Sequence, residues 1–178
     1  MLGAPQDSGW TLRRLVPGDE DQALAAHAEL AADGFDFLLG YDDAEGFAAY
    51  AARLAAQENG RELAEGFVPH TFLVAEAGGQ LVGRISLRHE LTPFLASIGG
   101  HVGYAVRPGF RRRGHAGALL RGVLPLAARH GLDVVLVTCD DSNVASRRVI
   151  EGAGGVPDGV VELVPGHSKL RYWVPTGA

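Results

Sequence analysis

Hydrophobic and polar residues follow two periodicities along this chain, one typical of strands and the other of helices. Short apolar segments bounded by Gly, Pro and Asp predict seven strands, at residues 10–16, 71–77, 80–89, 103–106, 132–138, 156–164 and 168–174. Apolar or Ala-rich faces with helical spacing predict helices at 20–32, at 43–65, after 111–117 and at 143–153. The chain is therefore predicted to be an α/β (α+β) protein.

Glycine and proline refine these boundaries. Gly78-Gly79 predicts a hairpin turn between two strands, and Asn59-Gly60 predicts a break in the second helical region. Residues 91–100 are predicted to form a loop around Pro93. Pro125 lies inside a helical pattern, where it removes one backbone hydrogen bond and should bend or break the helix.

Residues 102–121 combine a short strand, a turn and a helix start. The strand ends at Arg107-Pro108-Gly109, and apolar residues from 116 to 128 then recur with the spacing of one buried helix face. The first N–H groups of a helix have no internal partner and lie at the positive end of its dipole. Gly114 and Gly117 allow a ligand to approach that backbone closely. The segment therefore predicts a phosphate-binding site.

The charge distribution supports a phosphate ligand. The chain has a formal net charge of −5, yet no acidic residue lies between Glu90 and Asp133, where six arginines occur. A nucleic-acid backbone is an alternative ligand for Arg111, Arg112 and Arg113. The acidic pI of about 5.8 and the lack of interleaved aromatic residues favour a small cofactor instead.

Whole-chain properties exclude several other classes. A length of 178 residues fits one domain, taken here as 1–178. No apolar run approaches the roughly 18 residues of a membrane span, and the first ten residues lack the features of a secretory signal, so we expect a cytoplasmic protein without a membrane partner. Cys139 is the only cysteine, and no cluster has zinc-ligand spacing, so we expect neither a disulfide nor a metal.

Two motifs resemble the GNAT superfamily of acyl-CoA-dependent N-acetyltransferases, in a less characterised branch. The first is Arg111-x-x-Gly114-x-Ala116 after a strand reading Tyr-Ala-Val-x-Pro, and the second is an apolar strand at 134–138 followed by Asn143. The resemblance implies a mixed, mostly antiparallel sheet of about seven strands, flanked by helices and splayed between strands four and five. It also implies transfer of an acetyl group from acetyl-CoA to a primary amine of a small molecule, an amino acid or a peptide.

The same resemblance suggests which residues hold acetyl-CoA. The backbone of Tyr104, Ala105 and Val106 would contact the pantetheine and acyl group, and the Val106 N–H would stabilise the developing oxyanion. Asn143 and Ser146 would lie along the pantetheine, although a helix cap is the alternative for Asn143. The pyrophosphate would lie on the turn formed by Arg111, Arg112, Arg113, Gly114, His115, Ala116 and Gly117.

The sequence departs from the family at two catalytic positions. Many members place a proton-donating tyrosine where this chain has Ile150, and some place a basic glutamate where it has Gly100. Tyr104 is the first substitute for the acid, with Ser142 or Ser146 as further candidates. His101 is a candidate base because its ordinary pKa is near 6.5, but strand alternation places it opposite Tyr104 unless a bulge intervenes. A core histidine is the alternative, and His89 and Glu90 are further candidates.

The sequence leaves the acceptor substrate unidentified. The first 65 residues carry 13 Asp or Glu against four Arg, which could attract a cationic amine or a basic peptide. An ordinary solvated helix surface explains the same acidic residues. A homodimer also fits the sequence. The alternative function is a non-catalytic acyl-CoA-binding or sensing module that lacks the acid and the base.

Overall fold

The computed structural model describes residues 9–177, in which seven strands form one sheet. The strands are β1 (Thr11–Arg13), β2 (His70–Ala77), β3 (Gln80–Arg88), β4 (Val102–Val106), β5 (Val134–Asp140), β6 (Val156–Val164) and β7 (His167–Pro175). The α-helices are α1 (Glu20–Ala31), α2 (Phe47–Glu58), α3 (His115–Arg129) and α4 (Val144–Gly152). The strand order is β1-β2-β3-β4-β5-β7-β6. Only the β4–β5 pair is parallel, which confirms the predicted fold class.

The hairpin between β2 and β3 forms where the sequence predicts it. Gly78 and Gly79 have φ angles of +58° and +76°, and Ala77 pairs with Gln80 across the turn. Glycine adopts positive φ at both central positions without the strain that a Cβ atom would add. The turn therefore fixes the register between β2 and β3.

Strand alternation divides the core between the two faces of the sheet. In β2, Ala75 packs into a cluster with the buried residues of α3, whereas Phe72 and Val74 pack into a cluster with α1 and α2. Successive side chains of a strand point to opposite faces. The sheet is thus covered by α3 on one face and by α1 and α2 on the other, and each fully buried leucine or phenylalanine contributes roughly 2 kcal/mol.

Three elements differ from the prediction. The second helix is shorter than 43–65, because it begins at Phe47 and ends before Gly60, whose φ of +72° does not suit a helix. Within the predicted loop at 91–100, residues Leu95–Gly99 form a π-helical turn. Helix α3 continues unbroken through Pro125, whose side chain is exposed, so the proline costs the helix one backbone bond without ending it.

The first eight residues, part of the segment on which the expectation of no secretory signal depends, lie outside the described residues. Over 9–177, no helix is both long and apolar enough to cross a bilayer.

Candidate active site

Strands β4 and β5 pair at one end and separate at the other. Their only registered pair is Val102 with Val137. On the other side of β4, the Arg107 N–H donates to the Val82 carbonyl (2.9 Å). Backbone groups alternate sides along a strand, so the N–H groups of Tyr104 and Val106 are directed towards β5. Within residues 9–177, no β5 residue pairs with either of them, and a gap opens there.

Gly100 explains why the two strands meet where they do. Its φ is +66°, and a Cβ atom at this position would lie 2.7 Å from the Leu136 carbonyl oxygen. The next residue, His101, donates its N–H to that same oxygen at 2.7 Å. Only glycine allows this close approach of β4 to β5. A glutamate at Gly100, as in some members of the resembling family, would not fit this backbone.

The gap between β4 and β5 opens into a cavity of about 790 Å³, which we call the donor cavity. Its walls come from the end of α1, the gap side of β4, the start of α3, the end of β5, α4 and β7. The predicted cofactor residues that line it are Tyr104, Ala105, Val106, Arg111, Arg112, Gly114, His115, Ala116, Gly117, Asn143 and Ser146. The two predicted motifs therefore form opposite walls of one cavity.

One end of the donor cavity is the N-terminus of α3. Gly114 precedes the helix with a left-handed φ of +85° and has no side chain that could cap it. The first helical hydrogen bond joins the Ala118 N–H to the Gly114 carbonyl (3.1 Å). The N–H groups of residues 115–117 thus precede the helical bonding pattern, at the positive end of the dipole. This end can bind an anion such as phosphate.

The three adjacent arginines have different environments. Arg111 donates to the Val106 carbonyl (3.1 Å) and forms an ion pair with Asp33 (2.5 Å). Arg112 lines the cavity with a strained φ of +61°. Arg113 is not among the lining residues, and its guanidinium lies 5.7 Å from the ring centroid of Phe110. The structure therefore does not place the Arg113 side chain with the other predicted cofactor residues.

The other end of the cavity contains a pair of hydroxyl groups. The Tyr104 hydroxyl lies 2.8 Å from Ser146 Oγ, and both residues line the cavity. Burial raises the pKa of Tyr104 to about 12, although the hydrogen bond with Ser146 opposes this rise. Tyr104 is therefore protonated at neutral pH, and its hydroxyl can donate a hydrogen bond to a group in the cavity. Burial also raises the pKa of the neighbouring Cys139 thiol.

Asn143 caps α4 and also lines the cavity. Its Oδ1 accepts a hydrogen bond from the Ser146 N–H (3.0 Å), the cap that was the alternative interpretation of this residue. By holding the first turn of α4, the cap positions Ser146 against Tyr104. Capping and contact with a ligand in the cavity are compatible, because the cap uses Oδ1 and the side chain also carries an NH2 group.

His101 lies outside the donor cavity. Its buried Nδ1 accepts a hydrogen bond from the Leu136 N–H (2.9 Å), and its ring lies 6.3 Å from that of Trp173. Burial lowers its pKa to about 4, with the Arg88 charge acting in the same direction. His101 and Tyr104 lie on opposite faces of β4, as alternation predicts. The structure favours the core histidine over the base for this residue.

The other catalytic candidates also lie away from the cavity. Ile150 is fully buried in the core with α3, so the position of the family tyrosine does not face the ligand space. His89 stacks on His130 with ring centroids 3.7 Å apart. Burial lowers the pKa of His89 to about 4. Neither His89 nor Glu90 lines the donor cavity.

These observations agree with a comparison of the sequence with known families. Residues 10–156 match the family model described as the acetyltransferase (GNAT) domain. The chain belongs to the GNAT acetyltransferase family. This confirms the resemblance seen in the two motifs, and no curated protein sequence matches the chain.

Solved GNAT structures share the fold at low sequence identity. RimL, a ribosomal L7/L12 α-N-protein acetyltransferase solved with CoA in disulfide linkage to one of its cysteines, is 15% identical, with a TM-score of 0.70 and 98% of each chain covered. The structure of yncA from Salmonella typhimurium with acetyl-CoA is 18% identical, with a TM-score of 0.61 and 94% of each chain covered. The Salmonella typhimurium acetyltransferase that modifies the N-terminal serine of L7/L12 is 16% identical, with a TM-score of 0.66 over 94% of this chain and 95% of that one.

Sequence reasoning missed the residues that reach the donor cavity from outside the two motifs. Phe35 follows α1 after a turn at Gly34, and Lys169 extends from β7 to pair with Asp140 (2.8 Å). Lys169 is the only lysine of the chain, which is the one signal that could have marked it. Phe35 carried no such signal, because its place depends on how α1 packs on the sheet.

Ion pairs take up part of the negative charge of the acidic first third of the chain. Glu29 pairs with Arg107, Asp33 with Arg111, and Glu45 with Arg53, each at 2.5 Å. Two of these pairs join the α1 region to the arginine-rich segment. They favour the interpretation of the acidic residues as an ordinary helix surface, with part of the charge used to hold α1 over the cavity.

Proposed function

We propose that this GNAT protein transfers the acetyl group of acetyl-CoA to a primary amine. The observation that carries this proposal is the donor cavity, which joins a glycine-preceded helix N-terminus to the gap at Val106. The two ends suit the two ends of acetyl-CoA, a pyrophosphate and a thioester. The yncA and RimL structures, which contain acetyl-CoA and CoA, support this choice of ligand.

The residues of the cavity would hold acetyl-CoA as follows. The pyrophosphate lies on the N–H groups of residues 115–117, with Arg112 as a nearby cation. The pantetheine runs along the gap, where the backbone groups of Tyr104 and Val106 lack strand partners in the described residues. Asn143 and Ser146 form the opposite wall.

Attack of the amine on the thioester carbon forms a C–N bond and breaks the C–S bond. The carbonyl oxygen gains negative charge during attack, and the Val106 N–H, directed into the gap, is the donor placed to stabilise it. The Tyr104 hydroxyl, with Ser146 beside it, would supply the proton for the departing thiolate. His101 and His89 lie outside the donor cavity and Gly100 has no side chain, so none of these three takes the proton that the amine loses. His115 and Asp140 line the cavity and are the groups available to pass this proton to solvent.

A binding or sensing module is the second candidate. Gly100 has no room for a side chain, and Ile150 is in the core, so neither familiar acid or base position can act. This pattern favours a protein that binds acyl-CoA without turnover, unless Tyr104 serves as the acid.

A thiol-release assay with acetyl-CoA and a panel of primary amines separates the two functions. The panel contains alkylamines, amino acids and short peptides with a free N-terminal serine, and acetyl-CoA binding is measured in parallel by thermal shift. We expect binding together with amine-dependent CoA release. Binding without release for every amine would support the sensing module, and absence of binding would refute both.

A further inference from the structure

A second cavity lies on the face of the sheet that α1 and α2 cover. It has a volume of about 470 Å³ and lies between the ends of β2 and β3, residues 66–68 and the turn at 92–95. Most of its wall is apolar. Phe67 and Phe94 border it although 55% and 64% of their surfaces are exposed, and exposed aromatic side chains around a cavity are typical of a binding site. We call it the acceptor cavity.

Two polar residues of the acceptor cavity, His70 and Arg88, stand out among its lining. His70 and Arg88 are directly paired across β2 and β3, so their side chains share one face. His70 is only 6% exposed. Its Nδ1 donates to the Val68 carbonyl (3.2 Å), whereas its buried Nε2 has no hydrogen-bond partner. A buried nitrogen without a partner is costly. Because Nδ1 donates, the neutral Nε2 is an acceptor that a donor group of a ligand, rather than its anion, would satisfy.

Two guanidinium groups converge beside Gly103 of β4. A Cβ atom at Gly103 would lie 3.6 Å from Ser86 Oγ, 3.9 Å from Arg84 Nη1 and 4.0 Å from Arg88 Nη1. Arg84 is 3% exposed, and its Nε has no partner. Arg84 donates to Ser86 Oγ (3.0 Å) and to the Asp36 carbonyl (2.7 Å). Two like charges thus approach one point of the buried sheet.

No carboxylate neutralises these two charges. Over residues 9–177, none of the ion pairs involves Arg84 or Arg88. The Asp36 side chain accepts instead from the Gly40 N–H (2.9 Å). Burial lowers the pKa of Arg84 to about 10, and the charge of Arg88 contributes to this change. Buried charges are normally paired, so this pair of arginines indicates a missing anion.

Arg84 also connects the two cavities. Its guanidinium lies 4.5 Å from the ring centroid of Phe35, which lines the donor cavity, and bonds to Ser86, which lines the acceptor cavity. The two cavities therefore approach each other at Gly103, one residue from Tyr104. A ligand in the acceptor cavity would lie across β4 from the thioester.

We propose that the acceptor substrate binds in this second cavity and carries an anionic group, a carboxylate or a phosphate, that Arg88 holds with Ser86 and Arg84. The proposal rests on the proposed function, because the amine of this substrate must reach the thioester near Val106. Gly103 and Val106 are three residues apart, about 10 Å along a strand. The anion and the amine are therefore further apart than in an α-amino acid, and Phe67 and Phe94 contact the apolar chain between them.

The test compares three amines that differ only at the far end, together with glycine, which lacks the long chain. The substrates are 6-aminohexanoate, 6-aminohexanamide, 5-aminopentylphosphonate and glycine, each with acetyl-CoA in the thiol-release assay. The distant carboxylate hardly changes the pKa of the amine, so the acid and its amide have nearly the same nucleophile. We expect kcat/KM for the acid to exceed that for the amide at least about tenfold, as hydrogen bonds to charged groups allow. Glycine should be a poor substrate.

Variants of Arg88 assign the preference to this residue. Arg88→Gln keeps a donor for the carbonyls of Gly99 and Gly100, which Arg88 contacts at 3.3 and 3.1 Å, but removes the charge. It should bring the acid-to-amide ratio close to one, mainly by raising KM for the acid. Arg88→Lys should keep most of the preference. The matched control is Arg61→Gln, which removes an exposed arginine outside both cavities and should leave the ratio unchanged.

The outcomes distinguish the two proposals. If acetyl-CoA does not bind to the wild-type protein, the proposed function fails. If acetyl-CoA turns over but the acid and amide react equally, or if Arg88→Gln keeps the preference, only the anionic acceptor is wrong. A faster phosphonate identifies the anion as phosphate-like, and a faster acid identifies a carboxylate. Calorimetric binding of 6-aminohexanoate in the presence of CoA tests the site without turnover, should Arg88→Gln fail to fold.

Discussion

Single residues decide which groups can act on a thioester in this protein. The backbone at Gly100 leaves no room for a side chain beside Leu136, and Ile150 is directed into the core. Tyr104 is different, because its hydroxyl is in the donor cavity and within hydrogen-bond distance of Ser146. The proton donor is therefore expected on β4 rather than on α4.

The first prediction concerns this hydroxyl pair. Tyr104→Phe should retain acetyl-CoA binding and lower kcat by roughly 100-fold or more, the usual contribution of a general acid. Ser146→Ala should also lower kcat if the proton passes through Ser146. Binding is followed by thermal shift and kcat by thiol release. Tyr41→Phe, which removes a hydroxyl outside the donor cavity, is the control, and normal turnover by Tyr104→Phe would exclude Tyr104 as the acid.

The second prediction concerns His101 and acid stability. Its pKa is near 6.5 in the unfolded chain and about 4 in the folded protein. The unfolded state therefore binds a proton first, and stability from the neutral ring is present above pH 6.5 and lost as the pH falls towards 4. His101→Asn keeps an acceptor for the Leu136 N–H but does not titrate.

Urea unfolding at pH 7 and pH 5 measures this effect. The free energy of unfolding should fall less between these pH values in His101→Asn than in the wild-type protein, with turnover at pH 7 retained. A change of one pKa unit corresponds to about 1.4 kcal/mol, so the difference is within reach of this method. An equal loss in both proteins would show that His101 is already protonated at pH 5, and a loss of turnover would restore its candidacy as the base.

At the scale of elements, the sequence predicted the two segments that line the donor cavity more closely than the elements around them. The β4–turn–α3 unit and the β5–Asn143–α4 unit are local, so glycine, proline and helical spacing suffice to define them. β4 and β5 come together at Gly100 and separate beyond it. The close approach of Gly100 to Leu136 joins two segments that are far apart in the chain, so the sequence pattern alone does not show it. The sequence did not predict the π-helical turn at Leu95–Gly99. Its position also depends on a distant segment, because His101, just after the turn, bonds to Leu136 of β5.

The third prediction tests the N-terminus of α3 with a matched pair. Gly114 and Gly131 flank the same helix with φ angles of +85° and +79°, and a Cβ atom at either would meet no atom within 4 Å. Asparagine tolerates this left-handed conformation. Gly114→Asn should weaken acetyl-CoA binding at least about tenfold by filling the space of a phosphate, whereas Gly131→Asn should bind normally. Calorimetry measures both, and equal affinities would remove the phosphate from this helix end.

For the whole molecule, the two faces of the sheet differ in how far the sequence predicts their functional residues. Its α3 face carries the donor motifs, which resemblance to a family can locate. Its other face carries Arg84, Arg88 and His70, which look like ordinary alternating strand residues in the sequence. Only the register of β2, β3 and β4 brings their side chains together. Among the residues that the structure describes, neither Arg84 nor Arg88 forms an ion pair with a carboxylate. The acceptor side could not be predicted from spacing, because its residues are neighbours across strands rather than along one.

The last prediction uses the stability of the whole chain to measure donor binding. A ligand that binds only the folded state stabilises it by about 2.7 kcal/mol at 100 times its Kd and by about 4.1 kcal/mol at 1,000 times. Urea unfolding with increasing acetyl-CoA should therefore show a rise in the free energy of unfolding that is logarithmic in ligand concentration, with an unchanged m-value. Gly114→Asn should show this rise only at higher concentration, and Arg88→Gln should match the wild type, because Arg88 lies outside the donor cavity. A wild-type protein whose unfolding is insensitive to acetyl-CoA would contradict the assignment of the donor cavity.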